Sequence, residues 1–189
     1  MTKTIAIVGK NGSLASALIN SKLLQVHQVQ SYSKLEYNFT NQQQVENLAQ
    51  QIASNDTIVV TTGVYNNPDP WDTYLINTVG IALLLKTLIY QGSSAHIIVA
   101  GSHGGMWTTW PNMPIERIWY NNSKRALTDL VTSLSHSKVS ESKYTMINFS
   151  KFESSINNYT GYPIDTATQI VIDTINNPTP PLVLEMESP

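Results

Sequence analysis

Near its start the chain reads Thr4-Ile5-Ala6-Ile7-Val8-Gly9-Lys10-Asn11-Gly12-Ser13-Leu14-Ala15-Ser16-Ala17-Leu18, and few folds accept that order. Five apolar or β-branched residues form a short run of the kind buried in a sheet, and Gly9 ends it. Past Gly12 the residues turn to helix formers, so the reading is strand, glycine turn, helix. Gly9 permits a tight turn, Gly12 lets another group approach the backbone, and Ala15 is small enough for close helix–strand packing. The N-terminus of such a helix offers N–H groups and a positive dipole end to an anion. Gly9, Lys10, Asn11, Gly12, Ser13 and Leu14 are therefore the candidate cradle for a dinucleotide pyrophosphate. A Walker-type phosphate loop does not fit, because no Gly-Lys-Ser/Thr follows.

Strand and helix signals alternate along the rest of the chain. Strands are expected at residues 25–32, briefly at 35–39, and then at 56–61, 95–100, 144–149 and 182–186. Helices are expected from Asn41 to Ile52, capped by Asn41 or Thr40, from Trp71 past Leu84, across 124–135 and across 166–175. Strands separated by helices predict right-handed crossovers and a doubly wound, mostly parallel α/β sheet of about seven strands, with helices on both faces. At 189 residues, with no internal repeat or linker, a single domain spanning 1–189 is expected.

Composition excludes more than it assigns. A net charge of −2 with eleven Lys plus Arg leaves no basic footprint for nucleic acid. No cysteine is present, so there is no disulfide framework and no thiolate metal site, and a reducing, cytoplasmic setting fits. Met1-Thr2-Lys3 leads straight into the first strand, so no signal peptide is expected. The apolar stretch Ile81-Ala82-Leu83-Leu84-Leu85 stops at Lys86, short of a membrane span. His27, His96, His103 and His136 are scattered, without the spacing of metal ligands.

Chemistry enters with Tyr120 and Lys124, four residues apart in Trp119-Tyr120-Asn121-Asn122-Ser123-Lys124. On a helix that step sets phenol and ammonium on one face. An ammonium beside a phenol favours the phenolate and lowers its pKa, which suits proton transfer near neutrality. Upstream, Ser102 closes the apolar run Ile97-Ile98-Val99-Ala100-Gly101, and a hydroxyl at a strand end can polarise a carbonyl. With a hydride carrier, the trio describes carbonyl reduction or alcohol oxidation.

Together these landmarks resemble the short-chain dehydrogenase/reductase family from Thr4 to about Met186. Gly9, Gly12 and Ala15 look like its glycine motif. Asn38-Phe39-Thr40-Asn41 resembles an Asp-Val-Thr-Asp stretch whose first member contacts adenine. Thr61-Thr62-Gly63 stands where the family has Asn-Ala-Gly. Asn77-Thr78-Val79-Gly80 matches Asn-x-x-Gly, and Gly101-Ser102-His103-Gly104-Gly105 resembles Ser-Ser-x-x-Gly. The resemblance implies that Tyr120 is the general acid or base and that Lys124 holds the nicotinamide ribose and tunes Tyr120. It implies that Ser102 binds the substrate oxygen and that Asn77 anchors a proton-supplying water. Gly63 and Asn38 would line the cofactor, and Ser155 would contact the nicotinamide amide.

Departures from the family are equally specific. Ser150-Lys151 replaces its Pro-Gly, and the substrate lid shrinks to about 152–163. The segment before Tyr120 carries Met106, Trp107, Trp110, Met113 and Trp119, which could wall an apolar pocket or seal the loop. Ser31-Tyr32-Ser33-Lys34 lacks the acidic residue that binds a ribose diol, so Ser33, Lys34 and Lys10 point to NADP(H) over NAD(H). A homodimer or homotetramer through the two long helices is expected by family analogy. The expected activity is reduction of a small carbonyl compound. The alternatives are a non-catalytic dinucleotide-binding sensor or scaffold, and an epimerase or dehydratase.

Overall fold

The computed structural model describes residues 1–65, 67–105, 113–150, 161–177 and 183–185. Six parallel strands form one sheet in the order β2-β1-β3-β4-β5-β6. They are β1 (Thr4–Val8), β2 (Gln28–Tyr32), β3 (Thr57–Val60), β4 (His96–Ser102), β5 (Lys143–Phe149) and β6 (Val183–Glu185). Successive strand residues point to opposite faces, and both faces are apolar. Ala6, Val8, Ile58, Val60, Ile97, Val99 and Met146 pack under one helical layer. Ile5, Ile7, Val59, Ile98, Ile147 and Phe149 pack under the other. That two-sided burial is why β1 and β3 read as nearly continuous apolar runs, while the edge strand β2, Gln28–Tyr32, is polar and partly exposed.

One layer holds α2 (Gln42–Ile52), α4 (Gly80–Tyr90) and α5 (Ile115–His136); the other holds α1 (Ser13–Asn20) and α6 (Ile164–Asn176). The Asn41 side chain caps α2, accepting from the Gln44 N–H at 3.1 Å. The helix before α4 has an uneven course. A short α3 (Pro70–Tyr74) passes through a π-helical stretch, Leu75–Val79, into α4. Unbroken from Pro70 to Tyr90, it is 21 residues, and its most apolar 18-residue window has a mean hydropathy of 1.4, long and apolar enough by those measures to cross a membrane. That is longer than its central apolar run suggests. Ile81, Leu84, Leu85 and Leu88 are nevertheless buried against the sheet and α2.

The strand expected at 35–39 is a turn. Ser33 donates both its N–H and its hydroxyl to the Glu36 carboxylate, at 2.7 and 2.8 Å. The N–H groups of Glu36 and Tyr37 return to the Ser33 carbonyl at 3.1 and 3.0 Å. These local bonds take the partners a sheet edge would need. The alternation of Leu35, Tyr37 and Phe39 therefore serves a different end. Leu35 is exposed, while Phe39 is buried beneath the start of α4, where a Cβ on Gly80 would stand 2.5 Å from the Phe39 carbonyl oxygen. The described sheet thus has six strands where seven were expected.

From β1 the chain moves outward to β2, then returns past β1 to β3. Strand order reverses between β1 and β3, and a crevice opens at their C-terminal ends.

Candidate active site

Gly9 leaves β1 with φ +104°, a conformation other residues rarely adopt. A Cβ there would lie 2.7 Å from the Thr61 hydroxyl oxygen. The turn is closed by Gly9 and Lys10 N–H bonds to the Tyr32 carbonyl, at 2.9 and 3.0 Å, and by Gly12 N–H to the Gly9 carbonyl at 2.9 Å. Gly12 is the N-cap of α1 and carries no side-chain cap. A Cβ on it would meet only the Gly9 oxygen, at 3.4 Å. The ground above Gly12 is clear and the helix N-terminus faces it, which fits a pyrophosphate. Leu14, expected among the lining residues, is buried in the core with Ala15 and Leu18, so it can offer the crevice backbone alone.

At the end of β2 the polar groups are already paired. Lys10 Nζ lies 3.2 Å from the same Glu36 oxygen that accepts both Ser33 bonds. Those bonds, the Ser33 hydroxyl first, hold the Glu36 carboxyl below the usual carboxylate range. Lys34 is exposed. Asn38 is exposed too, and its side-chain oxygen accepts from the Thr40 N–H and hydroxyl, both at 3.0 Å.

Beyond the crevice, Ser102 ends β4, while Tyr120 and Lys124 lie on α5. The Ser102 hydroxyl lies near the Tyr120 phenol and acts on it as a hydrogen-bonding neighbour that lowers its pKa. Asn77 sits fully buried in the π-helical stretch. Its Oδ1 accepts from the Val64 N–H at 2.7 Å, and its Nδ2 donates to the Val64 carbonyl at 3.0 Å and to Ser123 Oγ at 3.1 Å. Ser123 Oγ donates in turn to the Tyr120 carbonyl at 2.7 Å. Lys124 is 4% exposed and donates to the Ala100 carbonyl at 3.2 Å. A Cβ on Gly63 would reach within 3.0 Å of Lys124 Nζ and 3.3 Å of Asn77 Oδ1. Glycine at 63 therefore lets the loop close over both.

The electrostatics correct one expectation. Burial pushes the Tyr120 phenol above its ordinary value; the Ser102 hydroxyl opposes this, the neighbouring Tyr65 adds to it, and Arg117 opposes it. The Lys124 ammonium does not lower the phenol, because it is turned to the Ala100 carbonyl. Burial lowers its own pKa to about 8.

The structure thus brings Asn77, Ser102, Tyr120, Lys124 and Gly63 into one cluster, beside the Gly9–Ser13 turn. Two residues of the cluster, Tyr65 and Ser123, were not anticipated, nor was the part Glu36 plays at the end of β2. The Tyr65 ring stands edge-on to Tyr120, with centroids 4.8 Å apart and planes at 85°. Ser123 links Asn77 to α5, and Glu36 gathers Ser33 and Lys10. Only Ser123 left a trace in the sequence, as a hydroxyl three residues after Tyr120 on a helix. Met113 packs on α5, its sulfur accepting from Asn121 Nδ2 at 3.4 Å. Ser155, Met106, Trp107 and Trp110 lie outside the described residues, as does most of the shortened lid.

Neither a family model nor a curated protein matches this sequence. Solved structures do. A dTDP-4-dehydrorhamnose reductase from Bacillus anthracis str. Ames, in complex with NADP, superposes with a TM-score of 0.77 at 16% identity, over 99% of this chain and 75% of its own. A short-chain dehydrogenase from Burkholderia cenocepacia J2315, also in complex with NADP, gives 0.78 at 13%, over 100% and 90%. A third, from Leptospira borgpetersenii with bound NAD+, gives 0.76 at 14%, over 99% and 92%. The fold is that of the short-chain dehydrogenases. At these identities the likeness speaks for the fold.

Proposed function

We propose that this chain is a nicotinamide-dinucleotide-dependent oxidoreductase of the short-chain dehydrogenase/reductase type, which reduces a small carbonyl compound or oxidises the matching alcohol. The observation that carries the reading is the gathering of Ser102 at the end of β4, Tyr120 on α5 and buried Lys124 one turn along it, at the strand ends where Gly9 and Gly12 leave an anion cradle. When bound, a nicotinamide dinucleotide would supply or take the hydride. The chain supplies position and protons.

Tyr120, held protonated by burial, donates to the carbonyl oxygen as charge develops there. Ser102 donates a second hydrogen bond to the same oxygen, stabilising the transition state more than the ground state. Lys124 would hold the ribose hydroxyls once its ammonium turns from the Ala100 carbonyl to them. Asn77 spends its carboxamide on Val64 and Ser123; we assign it the bracing of loop and helix in place of a water-anchoring role. The phenol is protonated at neutrality, as the proton donor of a reduction must be.

The preference between dinucleotides passes, in our reading, to NAD(H). Lys10 and Ser33 would serve a 2′-phosphate, but the Glu36 carboxylate already engages them and would repel that phosphate. We further propose a single cytoplasmic domain that self-associates through the continuous helix Pro70–Tyr90 and α5, where Trp71, Val79, Ile115 and Ile118 are 69%, 51%, 57% and 39% exposed. The test is binding of NADH and NADPH, followed by a dinucleotide-consumption screen over aldehydes, ketones and quinones. Turnover supports the assignment; tight binding without turnover across the screen moves it to the non-catalytic dinucleotide-binding alternative.

A further inference from the structure

We infer that Tyr65 is a positioning residue for Tyr120, its ring and not its hydroxyl holding the Tyr120 phenol against Ser102. The inference rests on the carbonyl-reduction reading for its purpose, though not for its test.

The ring geometry comes first. Centroids 4.8 Å apart at 85° form an edge-to-face pair, the arrangement that two aromatic quadrupoles favour. Next is the anchorage of Tyr65. Both backbone groups of the preceding Val64 are held by the Asn77 carboxamide, at 2.7 and 3.0 Å, and Asn77 itself is fully buried. The ring is therefore one residue from a fixed point. Finally, the same carboxamide reaches the other tyrosine. Its Nδ2 donates to Ser123 Oγ, which donates to the Tyr120 carbonyl. One buried amide thus registers the loop bearing Tyr65 against the helical turn bearing Tyr120, and the ring contact closes the circuit.

The consequence falls on the phenol. Around it stand Ser102 from β4, Arg117 from α5, and Tyr65 from the loop after β3. Lys124, a turn further along α5, directs its ammonium to Ala100, and His103 lies in the short turn after β4. Covering one side of the Tyr120 ring keeps water from that side and leaves Ser102 as the phenol's partner. Rotation away from Ser102 would require the pair to separate.

The test needs no substrate. Protein labelled with carbon-13 at the tyrosine ζ position is titrated in the wild type, Tyr65→Phe, Tyr65→Leu and Tyr65→Ala, and Tyr120→Phe assigns the Tyr120 signal. Points are kept only where circular dichroism shows the fold intact. Tyr65→Phe, which removes only the Coulombic influence of the Tyr65 hydroxyl, should move Tyr120 less than Tyr65→Ala and Tyr65→Leu, which should bring it down towards an ordinary tyrosine. If Tyr65→Phe moves Tyr120 as far as Tyr65→Ala does, the hydroxyl is responsible and the inference fails. If none of the three moves it, the ring does not position Tyr120. Tyr65→Leu guards against an alanine variant that does not fold. These outcomes hold whether or not the chain reduces carbonyls. With a substrate in hand, Tyr65→Ala should lower kcat by about tenfold at unchanged dinucleotide affinity, and Tyr65→Phe should restore it.

Discussion

Lys124 places an ammonium where the fold would be more stable without one. It is 4% exposed, and its pKa is lowered from 10.5 to about 8 by burial. Such a displacement corresponds to about 3 kcal/mol against the charged form. Lys124→Met keeps the length and apolar character of the stem and deletes the charge. It also deletes the bond to the Ala100 carbonyl, which returns about 1–2 kcal/mol of the gain. The variant should then be more stable than the wild type at pH 7 by about 1–2 kcal/mol, or roughly 2–8 °C in Tm for a domain of this size. The pH dependence carries the sign. Below pH 8 Lys124 is protonated in both folded and unfolded chains, and the full burial penalty stands. Between pH 8 and 10.5 the folded protein sheds the proton that the unfolded chain retains, so wild-type stability rises and the gap to the variant closes. Denaturant unfolding of both proteins at pH 7 and pH 10, without added dinucleotide, measures the gap at each end. A variant no more stable at pH 7, or a gap equal at both pH values, refutes the reasoning. Loss of turnover with a gain in stability would mark Lys124 as kept for function.

Three further outcomes follow from the same geometry. Gly12→Val should abolish dinucleotide binding in calorimetry with Tm unchanged to within about 2 °C, because its Cβ has room in the fold; Gly9→Ala, at φ +104°, should instead destabilise by about 1–3 kcal/mol. Glu36→Gln should free Lys10 and Ser33 and raise NADPH affinity about tenfold or more relative to NADH, and an unchanged ratio would remove Glu36 from cofactor choice. Burial, then Lys3 and Lys143, lowers the His96 pKa to about 4. Its neutral ring, 3.0 Å from Thr145 Oγ1, supports the fold above pH 6.5, and that support is lost as pH falls towards 4. His96→Gln should therefore lose less stability than the wild type between pH 7 and 4.5 in urea unfolding.

Local chemistry explains which features were legible in the sequence. β1, its glycine turn and α1 are coded within seventeen consecutive residues, and Asn41 caps α2 by a bond three residues long. The end of β4 at Ser102 and the one-turn step from Tyr120 to Lys124 are local in the same sense. Residues 35–39 misled because alternation marks a strand only when the backbone needs a neighbour, and Ser33 and Glu36 satisfy it within the turn. The π-helical stretch around Asn77 left no trace, since Ile76, Val79 and Leu83 continue an ordinary apolar pattern through it. The pairing of Tyr65 with Tyr120 joins elements 55 residues apart in number, and no spacing rule reaches that far. The charge on Lys124 was misjudged for a related reason. Sequence tells which helix face an ammonium shares, whereas its pKa depends on how deeply other elements bury it.

The central claim is that Tyr120 delivers the proton in a dinucleotide-dependent carbonyl reduction. The most direct test is single-turnover dinucleotide oxidation with a carbonyl substrate from the screen, comparing wild type and Tyr120→Phe at saturating cofactor. The account predicts that Tyr120→Phe binds the dinucleotide within about twofold of the wild type and loses at least about a hundredfold in rate. A Tyr120→Phe protein that reduces the same substrate at the wild-type rate contradicts it.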